Sequence, residues 1–290
     1  MTIGLLVSGN LGAVILNQLL LNQEITLLFA FTDFKSFSII ESCRKNNIPL
    51  FLGNPRGGKS VDFLNNYNAP DVLLSVNYLF IVEKDIISKA VKYAINIHGS
   101  LLPKFRGRTP HVWAIINNEK MSGVTAHLIE EGCDEGDIIL QKEVPILDSY
   151  TGQDLLNRFN DLYPKMVFEI IDKVKTNKIE LIKQNNEHAT FFEKRTAEDG
   201  KINFEWQKER IYNWVRAQAK PYPGAFCFLN NQKLIIHKVV FSELGFKQEM
   251  INGLILKIKN GNLFVKTQNG VLEVVDFESN TNIKTGDILL

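Results

Sequence analysis

Cysteine is scarce in this 290-residue chain, and the three that occur, Cys43, Cys133 and Cys227, are odd in number and far apart. They fit neither a disulfide framework nor a zinc-binding spacing; no metal is expected, and a reducing cytoplasm is the compartment they predict. Long apolar runs are missing as well. No stretch approaches the ~18–20 residues of a membrane span, so a membrane partner is not expected. The opening MTIGLLVSGNLG has no basic segment ahead of its apolar residues and reads as a first β-strand, not as a secretory signal. An excess of charge is also absent: 33 Lys+Arg against 32 Asp+Glu leave a formal net charge of +1. That balance argues against a clustered basic face, and so against nucleic acid as a partner, while leaving room for one small phosphorylated ligand.

The apolar fraction of 45% is that of a globular chain. In the first half strands alternate with helices. Ile3 to Ser8, Thr26 to Thr32, Asp71 to Asn77 and Ala94 to His98 read as strands. Ala13 to Leu21, Ser38 to Asn46, Val61 to Tyr67 and Val82 to Tyr93 read as helices. This predicts βαβ units and a parallel sheet, whose ligands sit beyond the carboxyl ends of the strands. Gly123 to Glu130 and Asp137 to Pro145 read as two further strands. Thr151, with Asp154 three residues on, starts a long helix that Pro164 is expected to kink. After a short helix over Arg210 to Ala219 the chain is β-rich with Asn/Gly turns, which predicts a small antiparallel barrel. The polar stretch Lys183 to Thr190 is the linker candidate.

Two glycine motifs point to weak signals. GNPRGGKS, Gly53 to Ser60, matches a phosphate-binding loop, but no later strand ends in the acid needed to hold Mg²⁺, and an ordinary polar turn is the expectation. Gly9-x-x-Gly12 lacks the full dinucleotide fingerprint and reads as a tight strand-to-helix turn.

The informative stretch is AINIHGSLLPKFRGRTP, Ala94 to Pro110. Asn96 and His98 are two apart at a strand end, so their side chains share one face. Lys104, Arg106 and Arg108 follow within five residues, flanking Gly107, and make a cationic loop suited to phosphate. Further on, Glu130 to Asp137 (EEGCDEGD) is a tight acidic turn without the ligand spacing of a calcium loop. An Asn, a His and a carboxylate together can perform acyl transfer: the amide donates to the developing oxyanion, and the His–carboxylate pair handles protons.

INIHGSLLPKFRGRTP together with GVTAHLIEEGCDEGDIILQ closely resembles the folate-dependent formyltransferase family. SVNYLFIVEKDII and RAQAKPYPGAF resemble further family stretches, so that residues 70–240 carry the likeness. The resemblance implies an α/β chain: a doubly wound Rossmann-like formyltransferase domain over 1–182, a linker over 183–203, and a small C-terminal β-barrel-like domain over 204–290. It implies Asn96, His98 and Asp134 as the catalytic trio and N10-formyltetrahydrofolate as donor. The donor would be held by Asn77, Tyr78, Leu79, Phe80, Ile81, Glu131 and Cys133. Arg106-Gly107-Arg108-Thr109-Pro110 is similar to enzymes that formylate an amino sugar on a nucleotide diphosphate, where methionyl-tRNA formyltransferases usually read R-G-A-A-P. Phe192 to Asp199 resembles the linker of the sugar enzymes, departing from it at Lys194. The expected acceptor is a dTDP- or UDP-linked 4-amino-4,6-dideoxy sugar, or a 3-amino sugar, destined for a surface glycan such as lipopolysaccharide O-antigen. Ser100, Lys104, Arg106, Arg108, Arg195 and Tyr222 are the expected acceptor contacts. The alternatives are a methionyl-tRNA formyltransferase and a non-catalytic nucleotide-binding module. A homodimer is expected, because a small barrel buries little core by itself.

Overall fold

The computed structural model describes residues 1–290. β1 (Thr2–Val7), α1 (Gly9–Leu20), β2 (Thr26–Thr32), α2 (Phe37–Lys45), β3 (Leu50–Leu52), α3 (Val61–Asn65), β4 (Val72–Val76), α4 (Lys84–Ile87) and β5 (Tyr93–His98) alternate at the start. β6 (Arg106–Gly107), α5 (Pro110–Ile116), β7 (Met121–Leu128), β8 (Ile138–Pro145), α6 (Gly152–Lys175) and β9 (Phe191–Phe192) follow. The chain ends with α7 (Lys208–Ala217), β10 (Ala225–Leu229), β11 (Gln232–Ser242), β12 (Ile255–Lys259), β13 (Asn262–Thr267) and β14 (Gly270–Glu278). Two compact units divide it. One takes Met1–Gly107, Gly123–Val144 and Arg158–Phe191, the other Arg108–Ser122, Pro145–Asn157 and Phe192–Leu290. No helix is long and apolar enough to cross a membrane.

The first unit is built on a seven-stranded sheet in the order β3-β2-β1-β4-β5-β7-β8. β3, β2, β1, β4 and β5 run parallel, the doubly wound arrangement that the alternation of strands and helices predicts. Strands buried on both faces read as continuous apolar runs, and β4 (VLLSV) is buried at every residue. Beneath the sheet Phe29, Phe31 and Phe63 meet edge to face, a ring geometry that favours aromatic pairs.

One expectation is corrected. The helix expected over Val82 to Tyr93 is limited to Lys84–Ile87. Beyond it the Val91 and Lys92 amides donate to the carbonyls of Pro70 and Asp71, so the residues leading into β4 capture the segment and β5 begins at Tyr93. The GNPRGGKS stretch is a turn whose Gly57 N–H donates to Glu83 Oε2 at 2.7 Å and whose Arg56 pairs with the same carboxylate. A carboxylate thus occupies an amide that a phosphate cradle would need. α6 starts on the expected signal, with Thr151 N–H donating to Asp154 Oδ2 at 2.9 Å and Asp154 N–H returning to Thr151 Oγ1 at 3.2 Å. It runs on through Pro164.

In the second unit five antiparallel strands lie in the order β10-β11-β14-β13-β12. α7 covers this sheet, burying Ile211 and Val215 with Ile236, Leu272 and Val274. Each such side chain contributes about 1.5–3 kcal/mol on leaving water.

Candidate active site

β5 and its antiparallel neighbour β7 set the site. Asn96 lies opposite His127, and His98 opposite Thr125. Residues directly opposite share a face, so four polar side chains gather on one side of the sheet while Ile95 and Ile97 point to the other. The chain leaves β5 through Gly99. A Cβ there would come within 3.0 Å of Tyr163 Oη and 3.3 Å of the Phe159 ring on α6, so a larger residue fits only if those side chains yield.

The loop between β7 and β8 delivers Asp134. Its backbone has a φ of 56°, a left-handed conformation that is costly for a residue with a Cβ and recurs at functional sites. Asp134 Oδ2 accepts the Gly107 N–H at 2.9 Å and lies 3.6 Å from His98 Nδ1. Oδ1 lies 3.5 Å from both Asn96 Nδ2 and His127 Nε2. Burial by itself would push this carboxyl upward. The charge on His98, the hydrogen bond and charge from His127 and the Gly107 N–H outweigh it and hold the group well below the usual carboxylate range. His98 Nε2 lies 2.8 Å from the Phe105 carbonyl, which fixes a hydrogen on that nitrogen and turns Nδ1 to Asp134. The structure therefore brings Asn96, His98 and Asp134 together around one ionised carboxylate.

Family models give this geometry its context. The formyl transferase model matches residues 10–171, and the model of the formyl transferase C-terminal domain matches residues 194–286. The chain belongs to the formyltransferase family. Among its relatives, the methionyl-tRNA formyltransferase of Thermodesulfovibrio yellowstonii is 35% identical over 77% of this chain and 71% of its own length. The bifunctional polymyxin resistance protein ArnA of Wigglesworthia glossinidia brevipalpis is 32% identical over 82% of this chain. This chain spans only 36% of that protein's length. In fold the chain is similar to the crystal structure of an N-formyltransferase from Helicobacter canadensis in complex with folinic acid and dTDP-3-aminofucose. That likeness has a TM-score of 0.72, with 23% identity, 96% of this chain and 98% of that one.

The loop after β4, expected to meet the donor, turns at Asn77 with φ 53°, and Asn77 Nδ2 donates to Ser8 O at 3.0 Å. Leu79 and Ile81 stand 44% and 57% exposed, an apolar margin beside a polar site. Tyr78 packs with Ile129 in one cluster, its hydroxyl is buried without a hydrogen-bond partner, and burial, aided by the charge on Asp33, pushes it well above its ordinary range. Glu131 pairs with Lys84, and Cys133 Sγ reaches Asp134 Oδ2 at 3.4 Å.

The expected acceptor residues divide. Lys104 and Arg108 are exposed. Ser100 is fully buried and donates to the Lys104 carbonyl at 2.7 Å. Arg106 is turned inward at 5% exposure and bonds Gln184 and Asn186. Arg195 and Tyr222 belong to the second unit. There the Arg195 guanidinium lies 4.9 Å from the Trp113 ring centre and 4.6 Å from that of Trp214. These residues line a cavity of about 260 Å³ with Glu193, Lys194 and Asp199. Tyr222 Oη lies 2.7 Å from His111 Nε2.

His127 was not singled out from the sequence. It is 2% exposed. Its Nδ1 lies 2.7 Å from the Leu128 carbonyl and its Nε2 lies 3.1 Å from Asn96 Nδ2. The signal was present: Thr125 and His127 repeat, on β7, the spacing of Asn96 and His98. No group of three His, Cys, Asp or Glu side chains is placed to hold a metal ion.

Proposed function

We propose that this formyltransferase moves a formyl group from N10-formyltetrahydrofolate to the primary amine of a nucleotide-diphosphate-linked amino deoxysugar. The acceptor carries dTDP or UDP and a 4-amino-4,6-dideoxy or 3-amino sugar, and the product serves surface glycan assembly. The observation that carries the reading is the meeting of Asn96, His98 and Asp134 at the carboxyl end of β5. A buried ionised carboxylate set between an amide and two imidazoles favours catalysis over a binding module. The exposed Leu79 and Ile81 suit the apolar face of a flat heteroaromatic ring. The donor supplies an activated formyl group.

In this reading the acceptor nitrogen forms a bond to the formyl carbon, and the bond from that carbon to N10 breaks. Asn96 Nδ2 lies 3.1 Å from His127 Nε2 and 3.5 Å from Asp134 Oδ1. The Asn96 hydrogen at the longer distance can turn to the developing oxyanion, with His98 beside it. Asp134, kept charged, orients His98 and stabilises the positive charge that gathers on the attacking amine, whose proton leaves to water. The leaving nitrogen departs with its electron pair and is protonated in turn. The exposed Lys104 and Arg108 are the cations offered to the acceptor's diphosphate, and Asn77 to Ile81 with Glu131 and Cys133 border the donor.

The second reading, methionyl-tRNA as acceptor, is favoured by the 35% identity to the Thermodesulfovibrio enzyme. The net charge of +1 weighs against it, because tRNA binding draws on many phosphate contacts. Mass spectrometry after incubation with the formyl donor and, separately, a panel of nucleotide-linked amino sugars or methionyl-tRNA decides the matter. The sugar reading expects gain of one formyl group by a nucleotide sugar. Formylation of methionyl-tRNA alone replaces it with the second reading.

A further inference from the structure

Residues 182–190 return past both loops of the site. Ile182 exchanges both backbone hydrogen bonds with Ile138 at 2.8 Å. Further on, the Arg106 N–H donates to Thr190 O at 2.8 Å and the Phe105 N–H to Thr190 Oγ1 at 2.8 Å. Between these two ties lies Gln184, 6% exposed. Its Nε2 donates to the main-chain carbonyls of Asp134 at 2.8 Å and Gly136 at 2.7 Å. Its Oε1 accepts from Arg106 Nε at 3.2 Å and Nη2 at 2.7 Å. An amide has two hydrogens and two lone pairs, and all four are used here. Arg106 is itself fixed, since Nη2 also donates to Asn186 Oδ1 at 2.8 Å and Nη1 lies 3.5 Å from Glu135 Oε1.

The bonds fall where the backbone needs them. Asp134 has a φ of 56°, and a residue with a Cβ stays in that region only where its surroundings over-determine it. A Cβ on Gly136 would come within 2.0 Å of the Leu128 carbonyl, so the loop turns back on β7 with no slack. The side chain of Asp134 is anchored by Gly107 N–H, and its main chain by Gln184. Two anchors on opposite sides of one Cα fix where the carboxylate points.

We propose that Gln184, gripped by Arg106, is a positioning residue that aims the Asp134 carboxylate between His98 and His127. This rests on the reading of Asp134 as a participant in formyl transfer. It also gives Arg106 a task inside the protein, in place of the phosphate contact expected from its sequence.

Gln184→Glu is the deciding variant. It keeps the size and the acceptor facing Arg106, but has no hydrogen to donate to the two carbonyls. With the donor and whichever acceptor the wild-type protein formylates, kcat is expected to fall about 10–100-fold, since a shift of about 1 Å in a reacting group costs up to that much. KM for both substrates is expected to stay within about two-fold, because the brace touches neither. A purely structural role lowers the melting temperature and leaves kcat per folded molecule unchanged, and that result overturns the proposal. If Gln184→Glu does not fold, Asn186→Ala decides: it releases the outer bond of Arg106 at an exposed position, and a kcat reduced a few-fold supports the brace while an unchanged kcat overturns it. Wild-type protein that formylates no acceptor overturns the brace together with the function, whereas active wild type with an unaffected Gln184→Glu overturns the brace alone.

Discussion

Asp134 in the first unit and His111 in the second both have side chains largely withdrawn from water, yet one is held ionised and the other neutral. Burial works against charge at both. At Asp134 the charge of His98, the bond and charge of His127 and the Gly107 N–H overcome it, and the carboxylate stays ionised. At His111 burial acts unopposed and pulls the imidazole down to about 4, while the hydroxyl beside it, Tyr222, is pushed up to about 12 by the same cause. A neutral partner lets burial win; charged partners do not. The first arrangement stores a charge available for chemistry. The second is a packing contact that happens to contain a titratable ring.

The largest effect expected from this contrast comes from removing the stored charge. Asp134→Asn keeps the shape and a carbonyl oxygen for Gly107 N–H but leaves His98 and His127 without a counter-charge. Loss of one acid–base group typically costs ~10²–10⁴-fold in rate, and kcat for formyl transfer is expected to fall in that range. His98→Ala is expected to fall as far. Near-normal kcat in both variants would break the comparison, because Asp134 would then be as inert chemically as His111.

Part of the first site was legible in the sequence and part was not, and range is the physical difference. Asn96 and His98 show themselves through the period-2 geometry of a strand and the glycine that ends it, both local facts. Asp134 stands among five acids between Glu130 and Asp137, and only the family pattern distinguished it. His127 depends on the β5–β7 register, a pairing across some thirty positions that no local period encodes. Gln184 sits in a polar run whose composition is that of a connecting segment; its value arises only when the chain returns to the acidic loop. The end of α4 was misplaced for the same reason, since the carbonyls of Pro70 and Asp71 that claim Val91 and Lys92 are distant in sequence.

The next effect is on stability. His111 has a folded value of about 4, below the ~6.5 of an unfolded chain. The unfolded state therefore binds the proton more readily. The contribution of His111 is complete above about pH 6.5 and is lost as pH falls towards 4, by about 3 kcal/mol in all. Asp134 is also held below its ordinary value, so its contribution disappears only below the ~3.9 of an unfolded aspartate. The two windows do not overlap. Urea unfolding at intervals between pH 7 and 4 is expected to show a midpoint that declines on acidification, and His111→Gln, which keeps a polar partner for Tyr222, is expected to flatten that decline. An equally steep decline in His111→Gln would remove His111 from the account.

The smallest effect concerns a half-buried cation–aromatic contact of the second unit, at Arg195. Arg195 lies between Trp113 and Trp214, and its Nη2 donates to Asp199 O at 2.8 Å and Gln218 Oε1 at 3.1 Å. Burial lowers its guanidinium from its usual value, with Asp199 opposing, but so basic a group stays charged. Here, unlike at His111, a charge survives burial without a carboxylate in direct contact, because two indole faces and two carbonyl-type oxygens surround it. Arg195→Lys keeps the charge and loses the planar stacking and the forked donors. The expected loss is about 1–2 kcal/mol, the scale of a partly desolvated cation–π contact plus one hydrogen bond. A melting temperature lowered by a few degrees, with KM for the acceptor unchanged, would place Arg195 with His111 as a packing residue. A raised acceptor KM with unchanged melting would instead place it with Lys104 and Arg108 as a group that meets the diphosphate.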